Sequence, residues 1–166
     1  MQITVIGSGE EIGQELYAIA YDTGAYLADN AHIAICGGKG GVMEAVSKGV
    51  HDNNGICIGI LPESTPIAAN KYLRAAIPTG IGELRNGIVV ASGELIVAFP
   101  GSYGTLSEIS FALKSKKRMI IVKKELFAYK IDILCKDKAH YAESVEEITE
   151  IIREYNDIRQ DLWKKG

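Results

Sequence analysis

The chain has few cysteines, few prolines and no apolar run long enough to cross a bilayer. Its three cysteines, Cys36, Cys57 and Cys135, are odd in number, far apart and never arranged as CxxC. A disulfide framework and a thiolate zinc site are therefore both unsupported. The three histidines, His32, His51 and His140, also lack metal-ligand spacing, so no metal site is expected. Four prolines, and 18 glycines that follow no fixed period, exclude a collagen-like or low-complexity chain. No apolar stretch approaches the roughly 20 residues that span a membrane. The opening Met1-Gln2-Ile3-Thr4-Val5-Ile6 lacks the basic region and cleavage site of a signal peptide. A soluble, cytoplasmic protein without membrane contact is expected.

An excess of charge is missing too. Eighteen basic residues oppose 21 acidic ones, and the pI near 5.7 argues against a nucleic-acid module with a broad basic face. An apolar fraction of 47% with 23% charged residues is enough for a packed core and excludes disorder. At 166 residues, one domain spanning 1–166 is expected.

What the sequence does contain is alternation. Short β-branched runs at Ile3–Ile6, Ile33–Cys36, Ile56–Leu61, Ala76–Pro78, Leu95–Phe99 and Met119–Val122 are separated by helical patterns. This is the pattern of an α/β, Rossmann-like, doubly wound and mostly parallel sheet with helices on both faces. Ser8 with Glu11 reads as a capping box opening a helix that buries Ile12, Leu16, Ile19 and Leu27. Further helices are expected up to about His51, from about Ile81 to Ala91, and up to about Lys114. Lys114 to Arg118 reads as cations complementing a helix C-terminus. Pro62 to Asn70 is the longest irregular stretch, and it suggests a surface loop near a site. In the tail, Phe127–Leu134 and Ala139–Glu143 each read as a strand. Ser144 and Glu147 then cap a last helix with Val145, Ile148, Ile151, Ile152 and Tyr155 on one face.

Glycine is in excess over the usual ~7%, and it gathers at three turns from strand to helix: Gly7-Ser8-Gly9, Gly37 to Gly41 and Gly101 to Gly104. Glycine permits tight strand–helix packing, and it also lets a ligand approach backbone amides. Three such turns on the carboxyl edge of one sheet favour an anionic ligand held at helix N-termini. The first turn, with Gly13, has one residue too many for a dinucleotide fingerprint, and Glu10 and Glu11 would repel a pyrophosphate. The second strand ends in Cys36 rather than an acid, so NAD binding is not expected; a P-loop sequence is absent.

Pro100-Gly101-Ser102-Tyr103-Gly104-Thr105-Leu106-Ser107-Glu108 is the most informative segment. Two glycines, two hydroxyls and a helix start form a phosphate cradle, in which Tyr103 either walls the site or packs. Glu108, one turn further in, can reach a group beside that phosphate, although by spacing alone it reads as a surface glutamate. Arg85, ahead of Asn86, reads by itself as a solvated side chain or half of an ion pair. Lys39 either contacts phosphate or projects into water.

Pro100 to Glu108 resembles the PGGxGTxxE motif of the "Lonely Guy" (LOG) family, often labelled "possible lysine decarboxylase", with Ser102 in place of the second glycine. Arg85 falls where that family places its arginine, and Gly37 to Met43 resembles its GGGxxGLM segment. The likeness covers roughly residues 1 to 152. It implies a Rossmann-like homodimer or larger homo-oligomer. The best-known members cleave nucleoside 5′-monophosphates to free base and ribose 5-phosphate. Carried over, Gly101, Ser102, Tyr103, Gly104 and Thr105 would hold the phosphate, with Glu108 and Arg85 as catalytic residues. Gly7, Ser8, Gly37, Gly38, Lys39, Gly40 and Asn86 would complete the ligand site. No lysine signature for pyridoxal phosphate supports the decarboxylase label.

The departures point to a sister branch. Asn86 stands where the enzymes have lysine, Ser107 leaves Glu108 as a single acid, and the Gly37–Gly41 loop is one residue shorter. In these features the chain resembles molybdenum-cofactor carriers, which bind a pterin phosphate without chemistry. DNA-processing proteins of the DprA type are more distant. The expected partner is a small-molecule phosphate ester, with no cofactor required and a nucleotide monophosphate or molybdenum cofactor as ligand.

Overall fold

Strands this apolar along their whole length are stable only when both faces are covered. The computed structural model describes residues 1–122, Cys135 and 138–164. Its elements are β1 (Gln2–Ile6), α1 (Gln14–Asp29), β2 (Ile33–Cys36), α2 (Val42–Asp52), β3 (Ile56–Leu61), β4 (Ala75–Pro78) and α3 (Asn86–Ser92). They continue as β5 (Leu95–Ala98), α4 (Tyr103–Lys114), β6 (Arg118–Val122), β7 (His140–Ala142) and α5 (Val145–Lys164). The seven strands form one sheet in the order β4-β3-β2-β1-β5-β6-β7. Every neighbouring pair is parallel. The fold is the Rossmann-like one that the alternation predicted.

Period-two alternation along the strands divides the core in two. Ile3, Val5, Leu95, Val97, Phe99, Ile120 and Val122 pack with α1, α2 and α5 through residues such as Leu27, Val46, Val50, Ile148 and Ile152. Ile6, Ile96, Ala98, Met119 and Ile121 pack on the other face with Val89 and Val90 of α3 and Ile109 and Ala112 of α4. Helices α1 and α2 cross closely because both carry glycine at the crossing. A Cβ at Gly49 would lie 2.0 Å from the Tyr21 carbonyl oxygen, and one at Gly24 would lie 2.2 Å from that of Val46.

Several local expectations need correction. Ser8 does not cap α1, which starts at Gln14 after an extended Gly13; the Ser8 hydroxyl instead accepts the Glu10 N–H at 3.1 Å. The segment before α1 is held in the next loop, where the Val42 N–H donates to the Ser8 carbonyl at 2.9 Å. Ile12 packs, half-buried, from outside the helix. The helix expected from Ile81 opens as a 3₁₀ turn over Gly82–Arg85, because Gly80 and Gly82 take positive φ of 68° and 60°. Lys117 donates to the carbonyls of Ala91 (3.0 Å) and Gly93 (2.5 Å), so it closes α3 rather than its own helix. The Ser144–Glu147 cap forms as expected: Ser144 Oγ accepts the Glu147 N–H, and Glu147 Oε2 accepts the Glu143 N–H at 2.7 Å. Of the two tail strands, His140–Ala142 pairs with β6, and the Phe127–Leu134 strand lies outside the described residues.

Candidate functional site

β1 and β5 are neighbours, but the chain leaves β1 toward β2 and β5 toward β6. In an open parallel sheet that reversal opens a crevice at the carboxyl ends of the two strands. The loops on either side are pinned to each other: the Ser8 N–H donates to the Pro100 carbonyl at 3.0 Å, and the Phe99 N–H to Ile6 at 2.8 Å. A cavity of about 190 Å³ lies there. The first glycine loop contributes Gly7 and Gly9, and the second contributes Gly37 and Lys39. The start of α4 adds Ser102, Gly104, Thr105 and Glu108; the turn before α3 adds Glu83, Arg85 and Asn86; Ile6 and Met43 complete it.

Helix α4 presents its N-terminus to this cavity. Ser102 is the N-cap, with no side-chain capping bond, and the first backbone bond runs from the Leu106 N–H to the Ser102 carbonyl at 3.0 Å. The preceding amides have no acceptor within the helix and carry its positive dipole end. Two glycines nearby differ in kind. A Cβ on Gly101 would meet Thr105 Oγ1 at 2.0 Å, so the turn itself demands glycine. A Cβ on Gly104 would meet nothing within 4 Å. Nothing in the packing of the described residues requires glycine at that cavity-lining position.

Arg85 is 6% exposed, so it is neither solvated nor at the rim. It lies against the second glycine loop, where a Cβ on Gly37 would be 2.3 Å from Nη1. Arg85 Nε and Nη1 are buried without a hydrogen-bond partner. Glu108 is also 6% exposed, which replaces the surface placement suggested by spacing. Burial pushes its carboxyl up to about 8; the charges of Glu83 and Cys36 push the same way, and Arg85 opposes them. At neutral pH Glu108 is therefore mainly a neutral carboxylic acid. Asn86, 4% exposed, donates to Ser107 Oγ at 3.1 Å and to Glu83 Oε2 at 3.4 Å. Ser107 in turn donates to the Gly104 carbonyl at 2.7 Å. This chain of bonds ties the turn before α3 to the first turn of α4. Lys39 donates to Glu63 Oε1 at 2.6 Å.

Of the residues singled out in the sequence, Gly7, Gly37, Lys39, Arg85, Asn86, Ser102, Gly104, Thr105 and Glu108 share the cavity wall. Ser8, Gly38, Gly40 and Gly101 lie in the supporting loops. Tyr103 is 90% exposed and neither packs nor lines the cavity. Sequence reasoning missed Glu83, Met43 and Glu63. The signal for Glu83 was its place two residues before Arg85, which puts both in one 3₁₀ turn.

Fold and site together define a LOG-like protein of Rossmann type. The chain belongs to the SLOG cluster4 family, which it matches over residues 1–152. Its fold is similar to that of the molybdenum cofactor binding protein of Rippkaea orientalis. The TM-score is 0.87 at 33% identity, covering 93% of this chain and 96% of that one. The molybdenum cofactor carrier protein of Chlamydomonas reinhardtii is similar at TM-score 0.81 and 25% identity, covering 92% of this chain and 96% of that one. A rice protein named "Probable cytokinin riboside 5'-monophosphate phosphoribohydrolase LOG4" is 29% identical over 96 residues, 55% of this chain and 41% of that protein.

Proposed function

We propose that this protein holds the phosphate end of a pterin or nucleotide monophosphate at the carboxyl edge of its sheet, in the manner of a molybdenum-cofactor carrier. Arg85 carries this reading: a guanidinium 6% exposed, with Nε and Nη1 unpartnered, on the wall that α4 also opens onto. A buried charged donor without an acceptor is destabilising by more than the ~1–3 kcal/mol of a neutral group, and a phosphate oxygen supplies the acceptor. Gly104 is the second support, since its side-chain space is kept open where the helix alone would favour alanine. The cavity of about 190 Å³ is smaller than the ~300–1,000 Å³ that encloses a whole ligand. The phosphate and its nearest atoms fit inside, and the heterocycle extends outward. Its walls offer cationic, amide and hydroxyl donors, which suit the phosphate end of such a cargo. The similarity to two molybdenum cofactor proteins agrees with this assignment.

A second reading, phosphoribohydrolase activity, is favoured by the presence of Glu108 and Arg85 in one cavity. There an ionised carboxylate would stabilise positive charge at the anomeric carbon. With its carboxyl pushed up to about 8, Glu108 is instead a hydrogen-bond donor at neutral pH, so in this reading it would enter as an acid rather than as a charge-stabilising carboxylate.

The test is thermal-shift and calorimetric titration with molybdenum cofactor, AMP, GMP and inorganic phosphate, together with an assay for released ribose 5-phosphate. Saturable stabilisation following RT ln(1 + [L]/Kd) with intact ligand recovered is expected. Gly104→Ala should keep or raise stability, by up to ~1 kcal/mol of helix propensity, and weaken binding at least about tenfold by filling the space beside the amides. Release of ribose 5-phosphate that Glu108→Ala abolishes would establish the hydrolase instead. A panel that stabilises nothing removes both. We also propose that the chain is a homo-oligomer, supported by the exposed Leu84, Ile88 and Phe111 on the α3–α4 layer.

A further inference from the structure

Among the described residues, Lys39 is the one cation besides Arg85 on the cavity wall. Its ammonium is already engaged, donating to Glu63 Oε1 at 2.6 Å. Glu63 comes from the irregular segment after β3. The pair is partly solvated, with side-chain exposures of 41% and 35%. The second carboxylate oxygen, Oε2, is buried and has no hydrogen-bond partner. Lys39 holds the Glu63 carboxyl below the usual range, and the positive charge of Arg85 acts in the same direction. An internal carboxylate thus stands in the field of both cations that line the site.

The rest of this segment is anchored independently of that pair. The Gly80 N–H donates to the Glu63 carbonyl at 2.9 Å, and the Asn70 N–H to the Gly38 carbonyl at 2.9 Å. Asn70 Nδ2 also donates to the Lys39 carbonyl at 3.0 Å. The Lys39 and Glu63 side chains can therefore separate while their backbones stay in place.

We propose that Glu63 is a built-in competitor for the ligand's anionic group: a phosphate ester bound beside Arg85 takes Lys39 over from Glu63. The proposal rests on the phosphate-binding reading above and makes Glu63 a residue that sets the affinity of that site. A phosphate dianion brings more charge and more acceptor oxygens than the single carboxylate oxygen now on Lys39, so the exchange favours the ligand. The strength of the Lys39–Glu63 pair is subtracted from what Lys39 contributes to binding. Glu63 is therefore a positioning residue that acts through Lys39 and needs no contact with the ligand.

Calorimetry at low salt with AMP and with inorganic phosphate as probes tests this on wild type, Glu63→Gln, Lys39→Met, the double variant and Arg85→Met. Thermal melts of each confirm folding. Glu63→Gln is expected to tighten AMP binding by about 1.4-fold to fivefold, the range that a partly solvated ion pair converts to. Lys39→Met should weaken it, and the double variant should match Lys39→Met, because the competitor acts only through that ammonium. Unchanged or weaker binding in Glu63→Gln overturns the proposal, as does equal tightening with and without Lys39, which would reveal general charge repulsion. If wild type binds and Arg85→Met does not, the phosphate reading stands even when the competitor fails. Binding by Glu63→Gln where wild type binds neither probe supports the competitor in its strongest form, and no binding by any variant removes both ideas.

Discussion

Arg85 and Glu108 have the same exposure, 6%, and opposite situations. The arginine lacks partners at Nε and Nη1, whereas the glutamate is pushed up to about 8 and keeps its proton at neutral pH. For a carboxyl whose folded value lies above its ordinary 4.5, the native state binds more protons than the unfolded chain between those values. Its contribution to stability is fully present below about pH 4.5 and is lost as pH rises to about 8. Glu108→Gln, which keeps the shape of the neutral acid, should therefore melt like wild type near pH 5. It should melt increasingly above wild type toward pH 9, by at least ~1 kcal/mol or roughly 2–4 °C. A melting difference that does not change with pH would show that Glu108 is ionised in the folded protein. Glu108 was readable from the PGxxGTxxE-like motif and Arg85 from its place upstream of that motif, but their burial was not, because a glutamate one turn into a helix looks the same whether it faces solvent or another element.

Among the elements, the three glycine-bearing turns and most strands were visible in the sequence, since their signals are local: β-branched runs, and glycine where a helix begins. The separate tasks of the glycines were not visible. Gly41 has φ +61°, and a Cβ there would meet the Ser8 carbonyl oxygen at 2.3 Å; it joins two loops 33 residues apart in sequence. Gly24 and Gly49 sit inside helices, where they lower helix propensity, and are explained only by the α1–α2 crossing. Gly49→Ala should push these helices apart at a cost of about 1–3 kcal/mol despite the better helix former. Urea unfolding would detect this; a stabilised variant would mean that the crossing is looser than the structure shows. The 3₁₀ turn before α3 also escaped sequence reasoning, because hydrophobic periodicity over Ile81–Ala91 does not distinguish a 3₁₀ entry from α-helix.

At the scale of the whole molecule, the strand order brings the site together. Residues 7, 37, 85 and 104 come from four separate connections and meet because β1 and β5 are neighbours at the reversal of the sheet. The α3–α4 layer that flanks the site leaves Leu84 77%, Ile88 44% and Phe111 42% exposed. If this face joins copies of the chain, light scattering should give a dimer or larger species, and Leu84→Glu with Phe111→Glu should shift it toward the monomer. A monomeric wild type across the concentration range would exclude the assembly.

By itself the sequence determined most of the element order, the parallel Rossmann-like sheet and the glycine-bearing turn that opens α4, because periodicity, glycine placement and helix starts are properties of neighbouring residues. Only the tertiary structure decided that Arg85 and Glu108 are buried together, that the Tyr103 side chain is exposed, and that Lys39 is held by Glu63. Burial and charge pairing depend on residues distant in the chain, and no local pattern encodes which of them the fold brings within hydrogen-bonding distance.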